Sequence, residues 1–131
     1  MLIIKNFGYE ESQAQGKWFD FTIWGAKIPI KIRPRTNATV TAIREQFKDS
    51  KDDAKRAEAI GDATLDFFIE DFKGIGDPGP DGTGIPWEVN LANKKRLVGL
   101  EMRPGERPIF EQIYEKATSL GFEVIEEEQK N

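Results

Sequence analysis

Four residues of one glycine-rich and proline-rich loop fall almost at the spacing of a calcium-binding EF-hand loop. The matching positions, counted from the first acid as position 1, are 1, 5, 6 and 12, occupied by Asp77, Asp81, Gly82 and Glu88. Position 3 is Gly79, which offers no side-chain oxygen, and neighbouring prolines stiffen the turn on which ligands would converge. The loop therefore predicts at most a weak Ca²⁺ site at Asp77, Asp81 and Glu88, and we expect no metal or cofactor elsewhere.

A second group of carboxylates could support acid and base chemistry. Asp66 and Glu70 are four residues apart and Asp71 follows, so a helix would bring two carboxylates to one face. A solvated acidic helix face explains the same residues more simply. The chain also contains no Cys and no His, which removes thiolate and imidazole nucleophiles and the usual zinc ligands. We therefore expect a protein that is not an enzyme.

Composition indicates one folded domain over residues 1–131. Hydrophobic residues make up 38% and charged residues 32% of the 131 residues, which is enough apolar material for one core. The formal net charge of −4 argues against a surface that binds nucleic acid. The apolar run at the N-terminus is short and no run approaches membrane-spanning length, so we expect a cytoplasmic protein without membrane contact.

Alternating apolar residues predict a small antiparallel sheet. The alternation runs through residues 17–24, is interrupted by Gly25 and Ala26, and resumes, as in a hairpin with a type II′ turn. Pro29 lacks an N–H group, so the second strand is predicted to be an edge strand at that point. Cations along this strand either form a patch for an acidic partner or protect the edge, and edge protection is the simpler explanation: Lys27, Lys31, Arg33 and Arg35. Three strands are predicted: 2–5, 17–24 and 27–33.

After Pro34 the apolar period changes to that of helices, so the fold class is α+β. Asn90 is a suitable N-cap, and Gly121 is suitable as the residue that follows the last helix. Beyond that helix, residues 126–131 are expected to fray. Four helices are predicted: 38–48, 53–72, 91–99 and 106–120.

The order of these elements and the segment 71–100 resemble one known family. The hairpin sequence KIPIKIRPRT is followed by two helices, the aromatic-acidic stretch DFKGIGD, a Gly/Asp turn and IPWEVNLANKKRLV. This combination is similar to the small tail assembly chaperones of tailed bacteriophages and prophages, although the DPGPDGTG loop is longer and Glu88-Val89 replaces a Ser/Thr-Pro-like helix entry. The positions that match the family pattern are Phe72, Gly74, Ile75, Asp77, Gly82, Pro86, Asn90, Asn93, Lys94, Leu97 and Val98.

The resemblance implies a non-enzymatic protein of the host bacterial cytoplasm. Such a chaperone binds the tail tape-measure protein before the tail polymerises and keeps its long hydrophobic helices soluble. The resemblance would place partner binding on residues 87–114, where the candidates, each of which is equally suited to the core, are Trp87, Leu91, Leu97, Phe110 and Tyr114. Self-association remains open, and the alternative function is a structural protein of the virion with a weak Ca²⁺ site in loop 77–88.

Overall fold

The fold is α+β, as the sequence predicts. The computed structural model describes residues 15–130, with side chains through residue 126, so the predicted strand 2–5 lies outside the described residues. Within residues 15–130 there are five strands and four helices, which are β1 (Lys17–Ile23), β2 (Ala26–Ile32), α1 (Asn37–Glu45), α2 (Asp53–Phe68), β3 (Ile69–Phe72), β4 (Gly76–Pro78), β5 (Gly84–Pro86), α3 (Leu91–Val98) and α4 (Ile109–Lys130).

The predicted hairpin is confirmed, but its turn lies one residue earlier and belongs to another type. Ile23 pairs with Ala26, so the two turn residues are Trp24 and Gly25, with φ angles of 51° and 75°. Two positive φ angles are typical of a type I′ turn, whose twist matches that of the strands. A tryptophan in this region is strained by about 1–2 kcal/mol. Glu106 stabilises the turn, because its carboxylate accepts hydrogen bonds from both turn N–H groups at 3.1 and 2.9 Å.

The predicted helix 53–72 ends four residues early, and its last residues form strand β3. Ile69 and Phe72 lie in the core and pair with Ile32 and Ile30 of β2. The described sheet therefore has the order β1–β2–β3, and β2 is its central strand. Pro29, where β2 was predicted to be an edge, lies just before the three residues that pair with β3, and its carbonyl accepts a hydrogen bond from Lys73 N at 3.2 Å.

Helix α2 ends at Phe68 because its final carbonyl groups find partners outside the helix. Lys94 Nζ donates to the Asp66 carbonyl at 2.9 Å, and Arg33 donates through its side chain to Phe67 and through its backbone to Phe68. A helix end leaves such carbonyl groups without intrahelical partners. Arg33, predicted as part of an edge-protecting surface, is therefore a structural link between β2 and the end of α2.

The core lies between the inner face of the three-stranded sheet and the helices. Ile30, Ile32, Ile69, Leu97 and Ile109 are fully buried there. Each buried aliphatic side chain of this size contributes about 1.5–3 kcal/mol relative to an exposed one. The sheet and helices α3 and α4 are thus held by one apolar cluster.

Helix α4 continues through Lys130, past the predicted end at residue 120. Gly121 lies inside the helix, so its predicted role as the residue after the helix is wrong. It is buried against the segment that links β2 to α1: Arg35 N donates to the Ala117 carbonyl at 2.8 Å, and a side-chain carbon on Gly121 would overlap the Arg35 carbonyl oxygen. The glycine permits this close backbone approach.

Glu70 joins three parts of the fold and makes stability depend on pH. Its carboxylate contacts Lys31 Nζ at 2.6 Å, Arg33 Nε at 3.1 Å and Gly16 N at 3.2 Å. Burial raises the pKa of Glu70, but the hydrogen bonds from Lys31 and Gly16 and the charges of Arg33 and Lys31 outweigh it and lower the pKa below 4.5. The carboxylate therefore stabilises the fold fully above the unfolded value of 4.5.

We expect this stabilisation to be lost as the pH falls through the lowered pKa of Glu70. Urea unfolding of the wild type and of Glu70→Gln, at neutral pH and well below pH 4.5, measures the contribution. The variant should be less stable at neutral pH, and the gap between the two proteins should narrow in acid. A gap that stays constant across this range would contradict the assignment.

Candidate partner-binding groove

A groove of about 260 Å³ opens between α1, α2 and α4. Its floor consists of buried side chains of α2 and α4, including Phe68, Ile113 and Ala117, and half-buried residues of α1 and α2 form the walls. This volume is slightly below the size range of ligand sites in proteins, about 300–1,000 Å³. The lining residues are Arg35, Val40, Arg44, Ile60, Gly61, Thr64, Leu65, Phe68, Phe110, Ile113, Tyr114 and Ala117.

Two aromatic side chains line the groove and remain open to solvent. Phe110 is 56% exposed and Tyr114 is 47% exposed, one helical turn apart on α4. Their ring centroids are 6.3 Å apart and the rings are inclined by 28°. Large exposed aromatic residues next to an apolar groove are typical of interaction sites, where aromatic side chains supply much of the binding energy.

Arg35 and Arg44 are the charged residues among those that line the groove. The Arg35 guanidinium lies 5.0 Å from the centroid of the Tyr114 ring, which fixes it beside the aromatic pair. Arg44 is exposed in the last turn of α1. Neither arginine pairs with a carboxylate of residues 15–126, and two acids on α1 and α4 pair with other cations: Glu45 with Lys48, and Glu115 with Arg107. The two charged side chains at this largely apolar site are therefore both positive.

Gly61 lies in the wall of the groove, in the interior of α2. Its φ is not positive, and a side-chain carbon built on it would meet no described atom within 4 Å. A glycine inside a helix costs about 0.5–1 kcal/mol relative to alanine, so neither backbone conformation nor internal packing explains it. Its effect is to leave the backbone of α2 open to whatever enters the groove.

The five residues predicted to bind a partner do not form one surface. Leu97 is fully buried in the core, and Leu91 is half-buried at the start of α3. Trp87 is packed partly against the core, with the Arg96 guanidinium 4.0 Å from its ring centroid. Phe110 and Tyr114 are the two that line the groove.

The segment that carried the calcium motif forms the two-stranded ribbon β4–β5. Asp77 on β4 receives both terminal nitrogens of Arg96, at 2.9 and 3.4 Å, and hydrogen bonds from Arg96 lower the pKa of this carboxyl. The Trp87 backbone N–H donates to the Ile75 carbonyl at 3.0 Å and closes the base of the ribbon. Among the side chains described for residues 15–126, no three acidic groups come together as ligands for a metal ion. The segment is a connection between β3 and α3 that the contacts of Asp77 and Trp87 hold in place.

The carboxylates considered for acid and base chemistry do not share a helix face. Asp66 is on α2 and pairs with the buried Lys94 at 2.9 Å. Glu70 and Asp71 lie on β3, where Glu70 pairs with Lys31 and Arg33, and Asp71 accepts a hydrogen bond from Phe72 N. The predicted grouping is wrong because helix α2 ends before Glu70.

Sequence reasoning missed the α1 and α2 walls of the groove. Val40 and Ile60 fall within the predicted helices 38–48 and 53–72, but nothing in the linear pattern indicates that these helices leave a groove beside α4. The one available signal was Gly61, a glycine within a helical pattern that has no capping role.

Comparison of the chain with known protein families, with curated proteins and with solved structures found no match. Across residues 15–130, none of the helices combines the length and apolar character needed to cross a bilayer.

Proposed function

We propose that the chain is a non-enzymatic assembly chaperone that holds an apolar helix of a partner protein in the α1–α2–α4 groove. The observation that carries this proposal is the open apolar groove, with Phe110 and Tyr114 exposed beside it. On a folded domain, apolar surface of this kind is stabilised by a partner that covers it.

A helix suits the groove better than an extended strand. The walls are helices, whose backbone N–H and C=O groups are mostly bonded within the helix, so they offer no ladder to a strand. A helical ligand satisfies its own backbone and presents apolar side chains at positions i, i+3, i+4 and i+7. Burial of those side chains against Ile113, Val40 and Ile60 supplies the binding energy.

The proposed partner is the tape-measure protein of a tailed phage or prophage, bound in the cytoplasm of the bacterial host. The order of elements and the residues of segment 71–100 support this assignment by their resemblance to small tail assembly chaperones. The tape-measure protein of such a system has long hydrophobic helices before the tail polymerises. A groove for an apolar helix is the feature that this task requires.

Co-expression with the tape-measure protein encoded by the same phage or prophage tests the proposal. We expect the chain to raise the soluble fraction of that protein and to co-purify with it, because the groove covers apolar helix surface. An unrelated small acidic protein expressed at the same level serves as the control. Unchanged solubility together with failure to co-purify would eliminate the chaperone function.

A further inference from the structure

We infer that the groove selects amphipathic helices whose apolar stripe is flanked by Asp or Glu, and that Arg35 and Arg44 form ion pairs with those carboxylates. The inference rests on the proposed function and specifies the chemistry of the ligand. It joins two observations: an apolar floor, and a local charge opposite to that of the whole chain. The chain has a formal net charge of −4, while both charged residues that line the groove are arginines.

The position of Arg35 is set by the fold. Its backbone N–H donates to the Ala117 carbonyl at 2.8 Å, and its guanidinium lies over the Tyr114 ring. The side chain therefore has less conformational freedom to lose when it meets a ligand. An arginine held in this way can form a two-point hydrogen bond with a carboxylate, which gives geometric selectivity as well as charge attraction.

Arg44 supplies the second contact from α1. It lies in the last turn of α1 and lines the groove, and no carboxylate among residues 15–126 pairs with it. Some cations elsewhere on the described surface do pair with carboxylates, for example Lys31 with Glu70, Lys95 with Asp62, and Arg96 with Asp77. At the groove, both lining cations lack a carboxylate partner among residues 15–126, and a ligand that combines apolar and acidic groups complements both the charge and the apolar floor.

The alternative occupants fit less well. A nucleic acid backbone requires many clustered cations, and two arginines beside an apolar floor do not provide them. A purely apolar helix would leave both guanidinium groups facing it without a partner, at a cost in desolvation. An acidic amphipathic helix buries its stripe on Ile113 and Ala117 and directs its carboxylates towards the two arginines.

Two synthetic helical peptides with the same leucine stripe test the inference. One peptide carries Glu at the positions that flank the stripe, and the other carries Lys at those positions. Fluorescence anisotropy with the full chain at low salt should show the Glu peptide binding about tenfold more tightly. The preference should shrink as salt is added, because the arginines are partly exposed.

Charge reversal identifies the residues responsible. Arg44→Glu should abolish or reverse the preference for the Glu peptide, and Arg35→Gln should reduce it. Lys55→Glu changes the net charge by the same amount as Arg44→Glu at an exposed position of α2 outside the groove, and it should leave the preference intact. Circular dichroism of each variant checks that the fold is retained.

The outcomes separate this inference from the proposed function. Three results would overturn the inferred selectivity for carboxylates. They are equal binding of both peptides, no binding of either peptide, and a preference for the Glu peptide that survives Arg44→Glu. If the tape-measure protein still co-purifies in that case, the chaperone function stands and the selectivity for carboxylates does not. If the Glu preference holds but the tape-measure protein neither co-purifies nor gains solubility, the groove binds acidic helices of some other protein.

Discussion

Replacing Gly121 with alanine should lower the free energy of unfolding by about 2–3 kcal/mol, although alanine is the better helix former. The new side-chain carbon would overlap the Arg35 carbonyl oxygen and would lie 2.7 Å from the carbonyl carbon. Both obstacles are backbone atoms, so no side chain can rotate away. Relief requires the 33–36 segment to move off α4, which breaks the bond from Arg35 N to the Ala117 carbonyl.

Gly61→Ala is the matched control for this prediction. It makes the same substitution inside another helix, where no described atom lies within 4 Å of the new carbon. It should raise the free energy of unfolding by about 0.5–1 kcal/mol, the ordinary difference between glycine and alanine in a helix. Urea denaturation of the two variants measures both effects. A Gly121→Ala protein as stable as Gly61→Ala would show that the linker does not pack on α4 as described.

The hairpin was predictable because one strong local signal dominates it. The inward side chains of β1 and β2 alternate with polar ones, and only a strand buries such a pattern on one face. The turn type was not predictable from local sequence, since Trp24 has a positive φ and its N–H donates to Glu106, 82 residues further along the chain. A local pattern does not contain that partner.

Strand β3 shows how tertiary structure overrides helical spacing. Ile69 and Phe72 are three residues apart, which fits the inner face of a helix, and the preceding residues are helical. Their extended conformation depends on pairing with β2. It also depends on Arg33 and Lys94, which donate hydrogen bonds to the final carbonyl groups of α2. These contacts join distant parts of the chain.

Only part of the groove could be predicted from the sequence, because burial depends on tertiary contacts. Phe110, Ile113, Tyr114 and Ala117 all follow the apolar spacing of one helix, but the structure buries the second and fourth and exposes the first and third. Leu97 fits a partner-binding helix equally well by sequence and is fully buried. Which apolar residues of a helix remain exposed to solvent depends on how far the neighbouring elements cover the helix, and this is decided by tertiary packing.

Filling the groove from its own wall should abolish partner binding while the fold is kept. Gly61→Leu places a large apolar side chain where the backbone of α2 is now open, and leucine is a good helix former. The variant should therefore be at least as stable as the wild type. A partner helix would lose both the space beside α2 and its access to the floor formed by Phe68 and Ile113.

The control adds the same side chain elsewhere. Ser119 is exposed on α4 and is not among the residues that line the groove. Ser119→Leu thus increases the apolar surface of the protein by a similar amount without occupying the site. It separates a blocked groove from a general effect of surface hydrophobicity.

The most direct measurement is the amount of tape-measure protein that co-purifies with each of three forms of the chain: the wild type, Gly61→Leu and Ser119→Leu. If the groove holds the partner helix, the wild type and Ser119→Leu retain the tape-measure protein and Gly61→Leu retains only background, with its own folding intact. Equal retention by Gly61→Leu and the wild type would contradict the account, because the partner would then bind outside the α1–α2–α4 groove.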